Sequence, residues 1–262
     1  MSSAEGTSWS EHPDLVAFYQ DHRNSPQDLY PSERRFLPWL ARQESVLDVG
    51  CAAGGFSNVW RHYNPRISYV GVDVSSSLIE AARRFHPDLE FHHGDCADGL
   101  PLPERLAKVV AAMGWLHWEP RYAEAIKELW RLADRFLFFD ARLAADAAQA
   151  ASGKQQVAFA GTWDGKTTTP YVTVAWPHFA AQLLELRPNA IMAHGYWGKP
   201  ADTVMDINEQ VCFAAFVLER NPAAPFPTQT TVCLDLPFAW PETSSNIQLL
   251  PSAELESLIP QL

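Results

Sequence analysis

Apolar positions in the first half of the chain form short runs that alternate with helix-spaced repeats. The runs predict buried strands at 45–49, 68–75, 89–96, 107–115 and 135–143. The repeats predict helices at 56–63, 77–87 and 121–134. Residues 13–42 carry helical spacing as well, broken near Ser25–Pro26 and Tyr30–Pro31, which predicts two short helices. Strands that alternate with helices in this way indicate βαβ units and a parallel sheet with both faces covered.

The pattern changes after residue 144. Residues 157–176 predict two β segments around an Asp164–Gly165 turn. Further along, apolar spacing predicts a helix at 178–188 and strands at 189–199 and 209–220. The alternation of parallel units therefore stops, and a small inserted substructure is expected before the last two strands.

Residues 221–262 are rich in proline and only weakly periodic, so we expect a tail that wraps on the surface or is partly mobile. The predicted organisation has N-terminal helices at 1–42 and an α/β domain at 43–220. The insertion covers about 145–188, and the Pro-rich C-terminal tail follows the domain.

Composition excludes some classes of protein. A chain of 262 residues with 47% hydrophobic residues can bury a full core, whereas its net charge of −11 disfavours a surface that grips nucleic-acid phosphates. Four cysteines stand singly, at Cys51, Cys96, Cys212 and Cys233, without zinc-ligand spacing. We therefore expect reduced thiols in the cytoplasm, no metal, and neither a signal peptide nor a membrane span.

The stretch VLDVGCAAGGFS, residues 46–57, ends a predicted strand with small side chains, which let a backbone approach a ligand or a helix. Residues 50–55 fit the pattern G-x-A-x-x-G, which is weak evidence alone, because a tight turn without a ligand has the same composition. Asp48 precedes this turn, and Asp73 and Asp95 end the next two strands. Carboxyl ends of parallel strands line the crevice where open α/β sheets bind ligands, so a ligand site is predicted here.

Four segments, VLDVGCAAGGFS, GVDVS, HGDC and AAMGWLHW, resemble the motifs of class I S-adenosylmethionine-dependent methyltransferases of the small-molecule type. The resemblance covers about 30–143 and extends to 189–220 as two closing strands. It implies a Rossmann-like sheet of seven strands, mostly parallel with the last antiparallel, and a small cap inserted between strands 5 and 6. Ala52 departs from the family pattern, which usually has glycine there, and one methyl group is tolerable if the turn stays open.

The resemblance implies S-adenosylmethionine as cofactor and S-adenosylhomocysteine as product, with the N-terminal helices covering their site. The cofactor-binding candidates are Asp48, Gly50, Ala52, Gly54, Asp73, Val74, Asp95, Cys96, Met113 and Arg34. Asp73 suits ribose hydroxyls of either S-adenosylmethionine or NAD, but Asp48 would repel a pyrophosphate and suits a cationic ligand. Arg34 is a candidate for the methionine carboxylate, and its alternative is a solvated arginine on a helix.

The acceptor side is expected at MGWLHW, residues 113–118, which follows the fourth strand. His117 is the candidate base or acceptor-orienting group, and its alternative is a histidine packed beside Trp115 and Trp118 and bonded to a backbone carbonyl. The two tryptophans are candidate pocket walls, as are Tyr196 and Trp197 of the aromatic-rich region, unless these rings form the core of the cap. The absence of Asp in this loop counts against methylation of nucleic acid.

The sequence thus predicts methyl transfer to a small-molecule acceptor, with oxygen or nitrogen favoured over carbon. One alternative is a catalytically silent partner or sensor subunit that binds S-adenosylmethionine. Another is an NAD-linked oxidoreductase, for which no hydride-transfer residues are visible. We expect no nucleic-acid or membrane partner, and the oligomeric state stays open, with a homodimer as one option.

Overall fold

The computed structural model describes residues 14–20, 22–161, 163–207, 209–221, 227–241 and 246–259. Its α-helices are α1 (Leu15–Gln20), α2 (Pro31–Leu40), α3 (Phe56–Tyr63), α4 (Ser76–Phe85), α5 (Tyr122–Leu132), α6 (Trp176–Glu185) and α7 (Leu255–Leu258). Its strands are β1 (Ser45–Val49), β2 (Ser68–Asp73), β3 (Glu90–His93), β4 (Ala107–Ala112), β5 (Ala133–Ala144), β6 (Ala151–Gln156), β7 (Thr168–Ala175), β8 (Ala190–Gly198), β9 (Val204–Met205), β10 (Val211–Glu219), β11 (Thr230–Asp235) and β12 (Ile247–Leu250).

The main sheet of the described chain has the strand order β12-β11-β8-β10-β5-β4-β1-β2-β3. Strands β1 to β5 pair in parallel, and β10 is antiparallel to both of its neighbours, β5 and β8. The predicted α/β class, with a mostly parallel sheet and an antiparallel closing strand, is confirmed. Since the glycine turn follows β1, it lies at the carboxyl edge of the sheet, beside the ends of β2 and β4.

Helices cover both faces of the sheet, as parallel strands require. On one face α5 and α6 bury Leu129 and Phe179 against strand residues such as Phe139. On the other face α2 and α3 bury Phe36 and Trp60. Side chains alternate along β5, so its apolar residues fill both layers. This two-sided core fixes the carboxyl edge where the candidate site is assembled.

The expected count of seven strands is wrong, because β11 and β12 extend the sheet beyond β8. Strand β11 pairs in parallel with β8, with Thr231 opposite Ala190, and buries Val232 and Cys233 on opposite faces. Strand β12 then pairs in parallel with β11. The described part of 221–262 is therefore built into the fold rather than wrapped around it. Prolines flank these short strands and hide their alternating pattern.

The insertion also differs from its prediction. Its antiparallel strands are β6 and β7, not two segments within 157–176, and the Asp164–Gly165 turn lies in the connection between them. The polar sequence of β6, ASGKQQ, carries no hydrophobic strand signal. The apolar residues Val157 and Phe159, which suggested a strand, instead pack in a cluster with Leu15 of α1.

Candidate active site

The glycine turn after β1 adopts left-handed backbone conformations. Gly50 and Gly54 have φ angles of +81° and +85°, and Ala52 has a φ of +48°. Such a φ is costly for alanine, but the Ala52 N–H donates a 2.9 Å hydrogen bond to Asp73 Oδ2. The Gly50 N–H also donates to the Val72 carbonyl at 2.7 Å. The turn is thus tied to the end of β2 and held open despite the missing glycine.

Trp115 fixes the other side of this turn. Its indole N–H donates to the Val49 carbonyl at 2.6 Å, and a Cβ placed on Gly50 would come within 2.2 Å of the ring. Gly50 is therefore required by both its φ angle and the close approach of Trp115. The ring of Trp115 thus packs against the glycine turn, and its role as an acceptor-pocket wall stays a prediction.

The three predicted carboxylates have different surroundings. Asp73 accepts hydrogen bonds from the N–H groups of Ala52 and Ser75, and burial raises its pKa. Asp48 accepts from the Tyr69 hydroxyl at 2.6 Å, and burial raises its pKa to about 6. Asp95 is partly exposed and forms a 2.8 Å ion pair with Arg121. Asp73 is the carboxylate in direct contact with the turn.

Helix α1 packs over the turn. Leu15 shares a buried cluster with Ala53 of the turn and with Leu78 and Ala81 of α4. Tyr19 lies close enough to Asp73 for the carboxylate to raise its pKa, in addition to the larger effect of burial. The α1 helix therefore encloses the same corner of the sheet that the glycine turn opens, while residues 1–13 lie outside the described part of the chain.

Arg23, rather than Arg34, is the arginine at this corner. Its guanidinium forms a 2.5 Å ion pair with Glu33 and lies 4.7 Å from the Phe56 ring centroid. Its Nη1 is 2.9 Å from the position that a Cβ on Gly114 would take. Arg34 is exposed and donates to the Gln27 carbonyl. Sequence reasoning misses Arg23 because it lies in a loop between two helices, where spacing carries no signal.

A buried charged pair occupies the end of β5. Asp140 accepts from the Gly114 N–H at 2.5 Å and from Arg142 Nη1 at 2.6 Å. The Arg142 guanidinium lies 4.4 Å from the Phe213 ring centroid, with Tyr171 nearby. Both charged residues are at least 94% buried. They also escape sequence reasoning, although two charges at alternate positions of the otherwise apolar run 136–143 are the available signal.

His117 belongs to this buried group. Its ring centroid is 4.9 Å from that of Trp118 and 5.3 Å from that of Tyr171. Its Nδ1 is buried and has no hydrogen-bond partner within the described residues. Burial, and then the nearby charge of Arg142, lower the pKa of His117 to about 3. The imidazole is therefore neutral near pH 7, and it packs against Trp118 and Tyr171 instead of the expected Trp115.

The remaining acceptor candidates separate into two groups. Trp118 donates its indole N–H to Gln155 of β6, so it joins the insertion to the loop after β4. Tyr196 stacks on Phe213 with 5.9 Å between the ring centroids, and the same Phe213 ring lies against the Arg142 guanidinium. Trp197 points to the opposite face of β8, where it contacts Phe238 and stays partly exposed. Tyr196 thus joins the site, and Trp197 lies away from it.

The other cofactor candidates surround the turn at varied depth. Cys96 is buried with its thiol toward the Ala125 carbonyl of α5, and burial raises its pKa. Met113 is buried, whereas Val74 is exposed and its carbonyl bonds the His93 ring. Gly54 has Phe91 within 3.0 Å of a Cβ placed on it. Of this group, Val74 is the side chain most open to a ligand.

Several buried polar atoms around β4 and β5 lack partners within the part of the chain that the structure describes. They are His117 Nδ1, Arg142 Nε, Arg23 Nε, Glu33 Oε1 and Asn24 Oδ1. The charges of Arg142 and Arg23 both act on His117, and Asp140 acts on Glu33, so these side chains form one electrostatic group. Unpaired buried polar atoms are costly, so a water or a ligand is needed beside them.

Side chains that ligate metals do not converge within the described ranges. No group of three or more His, Cys, Asp or Glu residues there is arranged to hold a metal ion. All four cysteines are buried with free thiols. Among the helices of the described chain, none combines the length and hydrophobicity needed to span a bilayer.

Comparison with known proteins identifies relatives of the central part of the chain. A family model described as a methyltransferase domain matches residues 46–135. A fatty-acid O-methyltransferase of Mycolicibacterium smegmatis is 37% identical over 103 residues, which cover 37% of each chain. A trans-aconitate 2-methyltransferase of Variovorax paradoxus is 30% identical over 119 residues, covering 45% of this chain and 44% of the relative. The chain therefore spans less than half the length of these relatives.

Among solved structures, the N-terminal domain of EvdMO1, crystallised with SAH bound, superposes with a TM-score of 0.53. The match covers 72% of this chain and 79% of that domain, at 12% sequence identity. At this identity the likeness concerns the fold alone. It covers more of the chain than the sequence relatives do.

Proposed function

Because this chain carries a class I S-adenosylmethionine-dependent methyltransferase domain, we propose that it transfers a methyl group from S-adenosylmethionine to an oxygen atom of a small-molecule acceptor. S-adenosylhomocysteine is the second product. The observation that carries this proposal is the left-handed glycine turn bonded to Asp73 at the end of β2. The M. smegmatis relative, named as an O-methyltransferase, supports oxygen over nitrogen.

The residues at the turn fit this cofactor. Asp73 carries two carboxylate oxygens at the edge of the turn, suited to accept hydrogen bonds from ribose hydroxyls. Arg23 places a cation between the turn and Gly114, suited to the methionine carboxylate. Asp73 suits the ribose of either cofactor, whereas Asp48 at the head of the turn would repel the pyrophosphate of NAD and so disfavours the oxidoreductase alternative. We propose Val74, Asp95 and Met113 as further contacts near the adenosine.

When bound, S-adenosylmethionine supplies an electrophilic methyl group on its sulfonium. The chain then has to hold the acceptor in line and exclude water, which is mainly a matter of proximity. His117 is a neutral imidazole whose buried Nδ1 has no partner within the described residues, so it suits a hydrogen bond to the acceptor. Its low pKa disfavours the base role, since an efficient general base has a pKa near the working pH.

Binding calorimetry tests the donor site. Asp73→Ala removes the acceptor of ribose hydrogen bonds, so we expect S-adenosylmethionine and S-adenosylhomocysteine to bind more weakly by roughly 1.5–3 kcal/mol. Asp88→Ala, which removes an exposed carboxylate paired with Arg61, is the matched control and should bind both ligands normally. Equal affinity of wild type and Asp73→Ala, or tighter binding of NAD, would contradict the proposed cofactor.

Turnover separates an enzyme from a silent cofactor-binding subunit. The protein is incubated with methyl-labelled S-adenosylmethionine and a small-molecule extract, and the label is followed into new compounds. We expect labelled product and release of S-adenosylhomocysteine, and binding without any transfer would favour the silent alternative. Once an acceptor is known, His117→Ala should lose less than the roughly 100-fold minimum typical of removing a general base. A larger loss in kcat would restore the base role.

A further inference from the structure

Arg142 is an unusual residue for the middle of a sheet. Its side chain is buried near the end of β5, and a buried guanidinium needs compensation by charge and hydrogen bonds. Asp140 provides one ion pair at 2.6 Å, and the Phe213 ring covers one face of the guanidinium. The Arg142 Nε–H has no partner among the described residues. One N–H of the buried guanidinium is therefore left without a hydrogen-bond partner in the described structure.

Two neighbours of Arg142 carry further hydrogen-bonding groups beside its guanidinium. Tyr171 lies near the Arg142 guanidinium and meets His117 ring to ring at 5.3 Å. His117 Nδ1 is likewise buried and unbonded in the described part of the molecule. The side chains of Arg142, Tyr171 and His117 come from β5, β7 and the loop after β4, so the folded chain assembles them.

A cavity adjoins this group. Its lining includes His117 and Arg142 together with mostly apolar residues such as Leu116, Val172 and Phe179. Its volume of about 10 Å³ is that of a single water, so the Arg142 Nε–H and His117 Nδ1, both unpaired within the described ranges, rather than this cavity, indicate a ligand here. The planar fork of an arginine matches the two oxygens of a carboxylate.

We propose that the acceptor in the methyl transfer proposed above, on which this inference rests, is a carboxylic acid whose carboxylate is bound by Arg142 beside Tyr171 and His117. Arg142 is thereby an acceptor-binding residue that selects carboxylates over amides and alcohols.

With a carboxylate as the acceptor, the transfer neutralises both reacting charges and requires no proton transfer. One carboxylate oxygen forms the new bond to the methyl carbon while the carbon–sulfur bond breaks, and that electron pair stays on sulfur. The products are a neutral methyl ester and a neutral thioether. No proton moves, because carboxylic acids with pKa values near 4 are already ionised at neutral pH. A site with a weakly basic His117 can therefore serve this acceptor.

Matched acceptors test the inference directly. The protein is incubated with methyl-tritiated S-adenosylmethionine and one of six probes: octanoate, octanamide, octan-1-ol, benzoate, benzamide or benzyl alcohol. Mild alkali releases volatile labelled methanol from methyl esters, whereas methyl ethers and N-methyl amides keep their label. We expect volatile counts from at least one acid and none from its amide or alcohol. Label in a base-stable product alone, or no label on either acid, overturns the carboxylate assignment.

Variants test the role of Arg142. Arg142→Lys keeps the charge and loses the fork, so we expect the KM of the acid to rise about 10- to 100-fold, in the range of a charge-assisted hydrogen bond. The affinity for S-adenosylhomocysteine, measured by calorimetry, should stay unchanged. Arg135→Lys is the matched control: Arg135 also lies on β5, stacks on Phe136 and pairs with Glu219, but is exposed. An unchanged KM in Arg142→Lys overturns the proposal.

A double variant separates the loss of acceptor binding from misfolding caused by an unpaired buried charge. Asp140→Asn combined with Arg142→Gln removes both buried charges and keeps an acceptor for the Gly114 N–H. We expect it to bind S-adenosylhomocysteine normally and to lose transfer to the acid, and retained transfer overturns the proposal. If wild type binds S-adenosylhomocysteine but leaves the acids unlabelled, the carboxylate assignment fails alone. If it binds neither S-adenosylmethionine nor S-adenosylhomocysteine, the proposed function fails with it.

Discussion

One half of the candidate site is built mainly from backbone, and the other mainly from side chains. The half that we propose binds the methyl donor, here called the donor half, is residues 50–55 with Asp73, and it is made largely of main chain in left-handed conformations. The half that we propose binds the acceptor, here called the acceptor half, consists of the side chains of His117, Asp140, Arg142, Tyr171 and Tyr196, with Phe213 beneath them. The first half is local in sequence, whereas the second exists only after distant strands have paired. The way each half is held together decides how it responds to mutation.

The largest effect is expected in the acceptor half. Arg142→Gln alone leaves Asp140 charged and buried without its partner, so we expect the free energy of unfolding to fall by about 3–5 kcal/mol. Adding Asp140→Asn should recover most of that loss, because the unpaired charge is gone. Urea unfolding followed by circular dichroism measures both variants. If the single and double variants are equally unstable, the pair is not coupled as described.

The donor half should respond through its backbone. Gly50→Ala forces a side chain into a left-handed φ and toward Trp115, and the two costs together amount to about 2–5 kcal/mol of stability. Gly165 has a similar φ of +79°, but no described atom lies within 4 Å of the position that its Cβ would take. Gly165→Ala should therefore cost only the backbone part, about 1–2 kcal/mol. Equal losses in urea unfolding would remove Trp115 from the explanation.

Much of the donor half could be predicted from the sequence, because glycines and strand-end carboxylates have fixed spacing in this fold. Spacing carries no information about Arg23, which reaches the turn from a loop, or about the pairing of Asp140 with Arg142. Arg34 is the wrong arginine to choose by helix position, since its side chain lies outside. The strands β11 and β12 escape prediction because each is short and flanked by proline. Side-chain convergence depends on tertiary folding that spacing does not encode.

The two regions also contribute to stability with opposite dependence on pH. His117 has its pKa lowered from 6.5 to about 3, so below pH 6.5 the unfolded chain binds a proton that the folded chain excludes. Stability from this group is complete above pH 6.5 and falls by about 1.4 kcal/mol for each unit below it. Asp48, with its pKa raised to about 6, acts in the opposite direction, losing stability as the pH rises toward 6.

The His117→Asn variant isolates the first contribution. We expect the stability difference between wild type and variant to shift toward the variant as the pH falls from 6 to 4, by about 1.4 kcal/mol per unit. Urea unfolding at matched pH values measures the slope. A constant difference across this range would mean that His117 titrates normally in the folded protein.

The smallest effect belongs to Ala52. A glycine at this position relieves the strain of the φ of +48°, a gain of about 1–2 kcal/mol. It also gives the unfolded chain more conformational freedom, a loss of about 0.5–1 kcal/mol, so the two effects nearly cancel. We expect Ala52→Gly to stabilise the protein by about 0.5 kcal/mol, measured by thermal or urea unfolding. A marked loss would show that the Ala52 methyl group itself contributes to packing with α1.

The strand order has a consequence for folding during synthesis. Strand β8 pairs with β10 and β11, both of which follow it in the chain. On the ribosome, residues 190–198 therefore have no ladder partner until residues 211–219 have emerged, while β1 to β5 can already pair. Phe213 and Tyr196 enter with these late strands, and long-range pairing of this kind is slow. The nascent protein acquires its glycine turn early and completes the surroundings of Arg142 among its last steps.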